Sequence, residues 1–208
     1  MTLSRSLSRK VVGITGGIAT GKSTVLRMLA ERGASTVSAD ALVRDLTAPG
    51  TPLTAQILDA FPDAQQTDDV GAAAIDRRAL ADQVFADDDA RRRLEAIIHP
   101  PVVALLQDRI DRYRAAPDAP LLALEIPLLY EAGLEGMVDT VLVVACAEGA
   151  QIDRIRARTG VDEPSARRMI AAQWPLERKV SRADFVVDTN EDREETERQV
   201  GTIWRLLV

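Results

Sequence analysis

The stretch Gly16-Gly17-Ile18-Ala19-Thr20-Gly21-Lys22-Ser23-Thr24 leaves this chain little choice of fold. It follows the apolar run Val11-Val12-Gly13-Ile14-Thr15 and precedes Val25-Leu26-Arg27-Met28-Leu29-Ala30, so the order is strand, glycine loop, helix. Gly16, Gly21, Lys22 and Ser23 satisfy the pattern G-x-x-x-x-G-K-[ST]. Glycines let backbone N–H groups wrap phosphate oxygens without a Cβ in the way. Lys22 then reaches the β- and γ-phosphates, the Ser23 hydroxyl ligates Mg²⁺, and the positive end of the following helix points at the same anion. Residues 16–24 are therefore read as nucleotide contacts.

Composition narrows the partners. With 208 residues and 46% hydrophobic content, one domain with a full core is expected. No apolar run approaches the ~20 residues of a membrane span. Residues 1–9 carry serines and arginines without an apolar stretch, and read as a tail ahead of the first strand. Cys146 is the only cysteine, which rules out an intrachain disulfide and fits a reducing cytoplasm. A net charge of −6 argues against a general nucleic-acid or anionic-membrane binder, so an anionic ligand must be held by local cations.

The rest of the chain supplies candidates for that site. Residues 34–39 lean towards a second strand ending at Asp40, and ligands of open α/β sheets bind at the C-terminal edges of the strands. Asp40 has two readings from position alone, as a carboxylate facing the ligand crevice or as the N-cap of a helix starting at Ala41. Between about residues 46 and 116, apolar residues such as Leu53, Ile57, Phe61, Leu80, Val84, Phe85, Leu94 and Ile97 recur at helical spacing, and no strand is predicted. Asp68-Asp69-Val70-Gly71 reads as a loop, Asp87-Asp88-Asp89 as acidic residues opening a helix, and His99-Pro100-Pro101 as a break between two helices. His99 alone reads as a packing or capping residue.

Leu121-Leu122-Ala123-Leu124-Glu125 has the form of a buried parallel strand ending in a carboxylate that holds Mg²⁺ directly or through water. Residues 138–145 and 183–188 complete five predicted strands, with a closing helix over about residues 193–207. Residues 151–182 between them carry eight basic residues against four acidic ones, placed to close over a nucleotide and offer guanidinium groups to a transferring phosphoryl.

These segments resemble the dephospho-coenzyme A kinase family from about residue 11 to residue 190. The resemblance rests on Thr15-Gly16-Gly17-Ile18, Ser38-Ala39-Asp40-Ala41, Ile98-His99-Pro100, Ile126-Pro127-Leu128-Leu129-Tyr130-Glu131, Gln151-Ile152-Asp153-Arg154-Ile155, Gln173-Trp174-Pro175-Leu176-Glu177-Arg178-Lys179 and Ala183-Asp184, in that order. It implies an α/β, three-layer P-loop kinase fold in one domain. The core would be a five-stranded parallel sheet over about residues 10–45, 119–148 and 183–208, with a helical substrate-side insert over about 46–118 and a basic helical lid over about 149–182.

It further implies transfer of the ATP γ-phosphoryl to the ribose 3′-hydroxyl of dephospho-coenzyme A, the last step of coenzyme A synthesis. Small-molecule substrates and Mg²⁺ are then expected, with no nucleic acid, membrane or obligate protein partner. By the same resemblance Asp40 orients the acceptor hydroxyl and takes its proton, Arg154 and Arg158 are the lid cations, and Asn190 contacts ATP. Ser23 and Glu125 hold the metal, and His99, Pro127, Leu128 and Leu129 lie at the acceptor. The chain departs from the family's pattern in Glu125 for aspartate, Ala19-Thr20 for glycine-serine, and Thr189-Asn190-Glu191-Asp192 for an asparagine-serine-glycine ending. Another small-molecule kinase of the same fold, or a nucleotide-dependent switch, would share the loop but has no use for the His-Pro and Ile-Pro-Leu-Leu elements.

Overall fold

The computed structural model describes residues 10–116 and 118–208, with the backbone alone for Phe85 and Ala86. The tail expected over residues 1–9 and the packing expected of the Phe85 side chain lie outside the described residues. In chain order the elements begin with β1 (Lys10–Gly16), α1 (Lys22–Glu31), β2 (Ser35–Ser38), α2 (Ala39–Leu46), α3 (Pro52–Ala60), β3 (Gln65–Thr67), β4 (Ala73–Ile75), α4 (Arg77–Ala86) and α5 (Asp88–Ala115). They continue with β5 (Leu121–Glu125), β6 (Thr140–Ala145), α6 (Glu148–Thr159), α7 (Glu163–Ala171), α8 (Leu176–Val180), β7 (Phe185–Asp188) and α9 (Arg193–Leu207). The chain divides into two compact units, Ala39–Asp108 and the remainder.

The larger unit is built on a five-stranded sheet of order β2-β5-β1-β6-β7 with every pairing parallel. Because β1 is central and covered on both faces, it is buried at every residue after Lys10, which is why its sequence runs apolar without alternation. Side chains still alternate between faces. Val12 and Ile14 join Leu121, Ala123, Leu142, Val144 and Val187 under α1 and α9, which contribute Val25, Met28, Leu29, Val200, Ile203 and Leu207 to one cluster. On the other face, Gly13 lies so close to Val138 and Leu129 that a Cβ there would stand 3.1–3.2 Å from them, while α8 packs on β6. All five predicted strands are present. The C-terminal edge of the sheet carries Gly16, Glu125 and the β7–α9 connection, and these positions define the site.

The smaller unit differs from its sequence reading in two places. Residues 65–67 and 73–75 form an antiparallel hairpin where no strand was expected. Three-residue strands reading Gln-Gln-Thr and Ala-Ala-Ile offer no apolar period to detect. The predicted Asp68-Asp69-Val70-Gly71 loop is its turn, closed by Asp68 Oδ1 accepting from the N–H groups of Val70 and Ala72, with Gly71 at φ 84°. The second difference is α5, which opens on acidic Asp88 and Asp89 as expected but runs unbroken through Pro100 and Pro101. Proline removes an N–H and crowds the preceding turn, at about 3 kcal/mol in a helix interior. Its φ is nevertheless helical, and burial on both sides of the step outweighs the loss. Leu94, Ile97 and Ile98 pack on the cluster of Leu53, Ile57, Leu58, Phe61, Ile75 and Leu80, while Val102, Leu106 and Ile110 are buried further along. Among the described residues no helix is long and apolar enough to cross a membrane.

Candidate active site

The loop leaves the sheet at Gly16, which pairs with Val144 of β6 in the register. A Cβ on Gly16 would stand 2.2 Å from the Val144 carbonyl oxygen, so no other residue fits. At the far end Gly21, at φ 93°, precedes α1, which starts with no side-chain cap and no acidic residue in its first turn. That leaves the helix's positive end facing the loop unneutralised. Between the two, Thr20 is fully buried and its hydroxyl donates to the Gly17 carbonyl at 2.9 Å.

Lys22, Ser23, Glu125 and Arg154 meet around this loop. The Lys22 ammonium donates to the Gly17 carbonyl at 2.7 Å and lies 3.5 Å from that of Gly16. Ser23 Oγ donates to Glu125 Oε1 at 2.9 Å. Glu125 is 4% exposed and stands beside Ile14 in the register, so the carboxylate predicted from a strand pattern is in contact with the hydroxyl predicted from a loop pattern. Arg154, on α6, donates to the Ala19 carbonyl at 3.3 Å and to the Thr189 carbonyl at 2.7 Å. Arg158, one turn further along α6, is exposed. Asn190 is also exposed, and its Oδ1 accepts from the Ala147 N–H at 2.7 Å. It borders a cavity of about 390 Å³ otherwise walled by Ala145, Cys146, Ala147, Leu176, Glu177, Val180 and Ser181. Burial pushes the Cys146 thiol above its ordinary range, despite nearby Arg154, which fits a packing residue and not a nucleophile.

Sequence reasoning missed how firmly the loop is held. Ile18 donates its N–H to Gln173 Oε1 at 2.9 Å, and its carbonyl accepts from Gln151 Nε2 at 2.7 Å. The Thr189 hydroxyl donates to the Thr20 carbonyl at 2.8 Å. Below the loop, the fully buried Lys179 pairs with Glu131 at 2.8 Å and donates to the Pro127 carbonyl at 3.1 Å. Trp174 donates its backbone N–H to the same Glu131, its ring stacks parallel to that of Tyr130, and the Arg178 guanidinium lies 3.4 Å from its ring centre. All of these residues fall within quoted motifs or directly beside one. The signal was present as a motif, without a role attached.

Three expectations change. Leu129, grouped with Pro127 and Leu128 at the acceptor, is fully buried against the sheet, since a leucine here fills the space beside Gly13; it anchors the segment and has no surface to offer. Asp40 is not an N-cap, because α2 begins one residue earlier at Ala39 and Asp40 falls inside its first turn. It is exposed, and the described residues give it no hydrogen bond or ion pair. His99 lies half-buried within α5, not at a helix break.

A backbone cradle with its own lysine, beside a hydroxyl and a carboxylate that suit a hard divalent cation, handles the phosphates of a nucleotide, and on a parallel sheet of this order it defines a P-loop kinase. Comparison with known proteins narrows the class. A family model described as dephospho-CoA kinase matches residues 10–195. The dephospho-CoA kinase of Geobacter metallireducens is 44% identical over 195 residues, covering 94% of this chain and 95% of that one. The crystal structure of TT1252 from Thermus thermophilus is 33% identical with a TM-score of 0.77, covering 96% of this chain and 98% of the other. Dephospho-CoA kinase from Campylobacter jejuni, at 22% identity and a TM-score of 0.68 over 94% and 95% of the two chains, shares the fold. The chain belongs to the dephospho-CoA kinase family, an enzyme family that phosphorylates dephospho-CoA to coenzyme A with ATP, the last step of coenzyme A synthesis. The resemblance read from the order of the motifs is borne out.

Proposed function

We propose that this chain carries out that reaction by moving the γ-phosphoryl of ATP to the ribose 3′-hydroxyl of dephospho-CoA, with Asp40 as the residue that orients the hydroxyl and accepts its proton. The observation that carries the reading is the Ser23–Glu125 hydrogen bond beside Lys22 and the glycine loop, in a chain of this family. Phosphoryl transfer passes through a loose transition state, which leaves the protein mainly to position groups and balance charge. Residues 16–24 hold the phosphates through backbone N–H groups, and Lys22 meets the charge that grows on the leaving oxygens.

Ser23 and Glu125 are two adjoining hard oxygen donors that would hold a Mg²⁺ ion. When bound there, the ion neutralises phosphate charge. Arg154, tied to Ala19 and Thr189, keeps a positive charge against the loop, and exposed Arg158 supplies a guanidinium free to reach the phosphoryl group. Pro127, Leu128 and His99 contact the acceptor, and Asn190 contacts ATP. Residues 46–118 serve as the substrate-side insert and 149–182 as the lid of one kinase domain. The enzyme works in the cytoplasm on two small molecules, without an obligate protein partner.

The test is direct. The purified chain, given ATP, Mg²⁺ and dephospho-CoA, is expected to produce coenzyme A by mass, with no turnover of nucleosides, sugars or shikimate in the same panel. Folded protein that binds ATP yet makes no coenzyme A would sink the reading.

A further inference from the structure

Lys179 raises a question that the reaction does not answer. It is fully buried, and its ammonium has three acceptors, Glu131 Oε1 at 2.8 Å and the carbonyls of Pro127 at 3.1 Å and Gly16 at 3.5 Å. All three of its N–H bonds are thereby directed, so the group is oriented and not merely tolerated. Taking an ammonium fully out of water is costly even when it is paired, and an apolar pair of similar volume often serves stability as well or better. A buried lysine placed on backbone carbonyls of a working loop therefore points to something besides stability.

The carbonyls show what that is. Gly16 O is approached by two ammonium groups, Lys22 and Lys179, each at 3.5 Å. Gly17 O likewise has two side-chain donors, Lys22 at 2.7 Å and the Thr20 hydroxyl at 2.9 Å. Among the described residues, both loop carbonyls within reach of Lys22 have a second donor already in place. A lysine that turns from these carbonyls to a phosphate would ordinarily leave them buried and unpaired, a loss that would be subtracted from nucleotide affinity. Here it leaves neither unpaired.

We propose that Lys179, together with Thr20, is a positioning residue that takes over the phosphate-loop carbonyls when Lys22 turns to the nucleotide, so that Lys22 is exchanged between protein and ligand without disturbing the loop. Glu131 neutralises Lys179 and, by accepting from the Trp174 N–H, fixes it relative to the turn whose Gln173 holds Ile18. The inference rests on the nucleotide lying on this loop, and not on which acceptor is phosphorylated.

The experiment is therefore a titration of ATP by calorimetry without acceptor. The variant is Lys179→Met/Glu131→Gln, which removes both charges and leaves neither unpaired, compared with Glu131→Gln alone. The double variant is expected to bind ATP about 10-fold more weakly than the single one, equivalent to about 1.4 kcal/mol. In a Lys22→Ala background, where no ammonium is exchanged, the same change should cost less than twofold. A purely structural lysine would weaken binding equally in both backgrounds, and equal losses, or no loss, overturn the proposal. Thr20→Val, which adds no buried charge, tests the same exchange at Gly17 and keeps the question decidable if the double variant does not fold. Its loss must also depend on Lys22, and a loss that does not overturns the proposal. Parent protein that binds ATP but fails to phosphorylate dephospho-CoA would refute the assigned reaction and leave this inference standing.

Discussion

Ala19 is the one described residue other than glycine with a positive φ, at 59°. An L-residue there costs on the order of 1–2 kcal/mol, which accounts for the glycine common at this place in the resembling family. The strain is held by specific contacts, since Arg154 binds the Ala19 carbonyl and Ala19 packs against the Ile152, Ile155 and Ala166 cluster. Asp40 shows the opposite condition, an exposed carboxylate with no partner among the described residues. In the first turn of α2 its charge gains at most about 0.3–1 kcal/mol from the helix dipole. Asp40→Asn should accordingly melt within a few degrees of the parent and bind ATP as well. If Asp40 takes the hydroxyl proton, kcat falls by roughly 10²–10⁴-fold, the usual range for a general base. A loss at the low end would fit a loose transition state, with orientation as the larger part. Turnover within about twofold of the parent, only ~0.4 kcal/mol in barrier, would remove Asp40 from the mechanism.

Individual elements decide how much could be read in advance. The central strands β5, β1 and β6 were legible because burial on both faces imposes unbroken apolar runs, and the loop because its backbone geometry demands glycine at Gly16 and Gly21. The β3–β4 hairpin was not, because its strands are too short and polar to carry a period. Nor was the continuity of α5, where local proline chemistry predicts a break and tertiary packing overrides it. That override can be measured: Pro101→Ala gives the Ile97 carbonyl a donor and should stabilise the protein by about 1–3 kcal/mol in urea unfolding, part of the helix-interior cost of proline. An unchanged or lowered midpoint would mean that the proline ring itself is packed. At the end of β5 the strand pattern supplied a carboxylate, but its partner depended on a parallel register that sequence alone does not fix. Glu125→Gln keeps the shape and removes the charge, so the Mg²⁺ concentration for half-maximal rate should rise several-fold, while Glu125→Asp stays close to the parent. An unchanged Mg²⁺ curve for the glutamine variant would reduce Glu125 to a partner for Ser23.

For the whole molecule, the net charge of −6 means that an anionic nucleotide is admitted by a few local cations against the general field. Binding to the folded chain alone then shows as stability, about 2.7 kcal/mol at an ATP concentration 100 times the dissociation constant. The way Ile18 is held determines where that stability appears. Both its peptide groups end on glutamine side chains, Gln151 from α6 and Gln173 from beyond α7, so a loop residue is hydrogen-bonded as fully as one in a sheet. Its amide proton should consequently exchange with deuterium at the slow rate of a buried strand, and Gln173→Ala should speed that exchange at once. Linkage is reciprocal: whatever tightens the loop around phosphate must also slow opening of the basic helices that supply the glutamines. Added ATP should therefore protect amides of α6 and α7 that never touch it, and a nucleotide effect confined to residues 16–24 would show that the two glutamines transmit nothing.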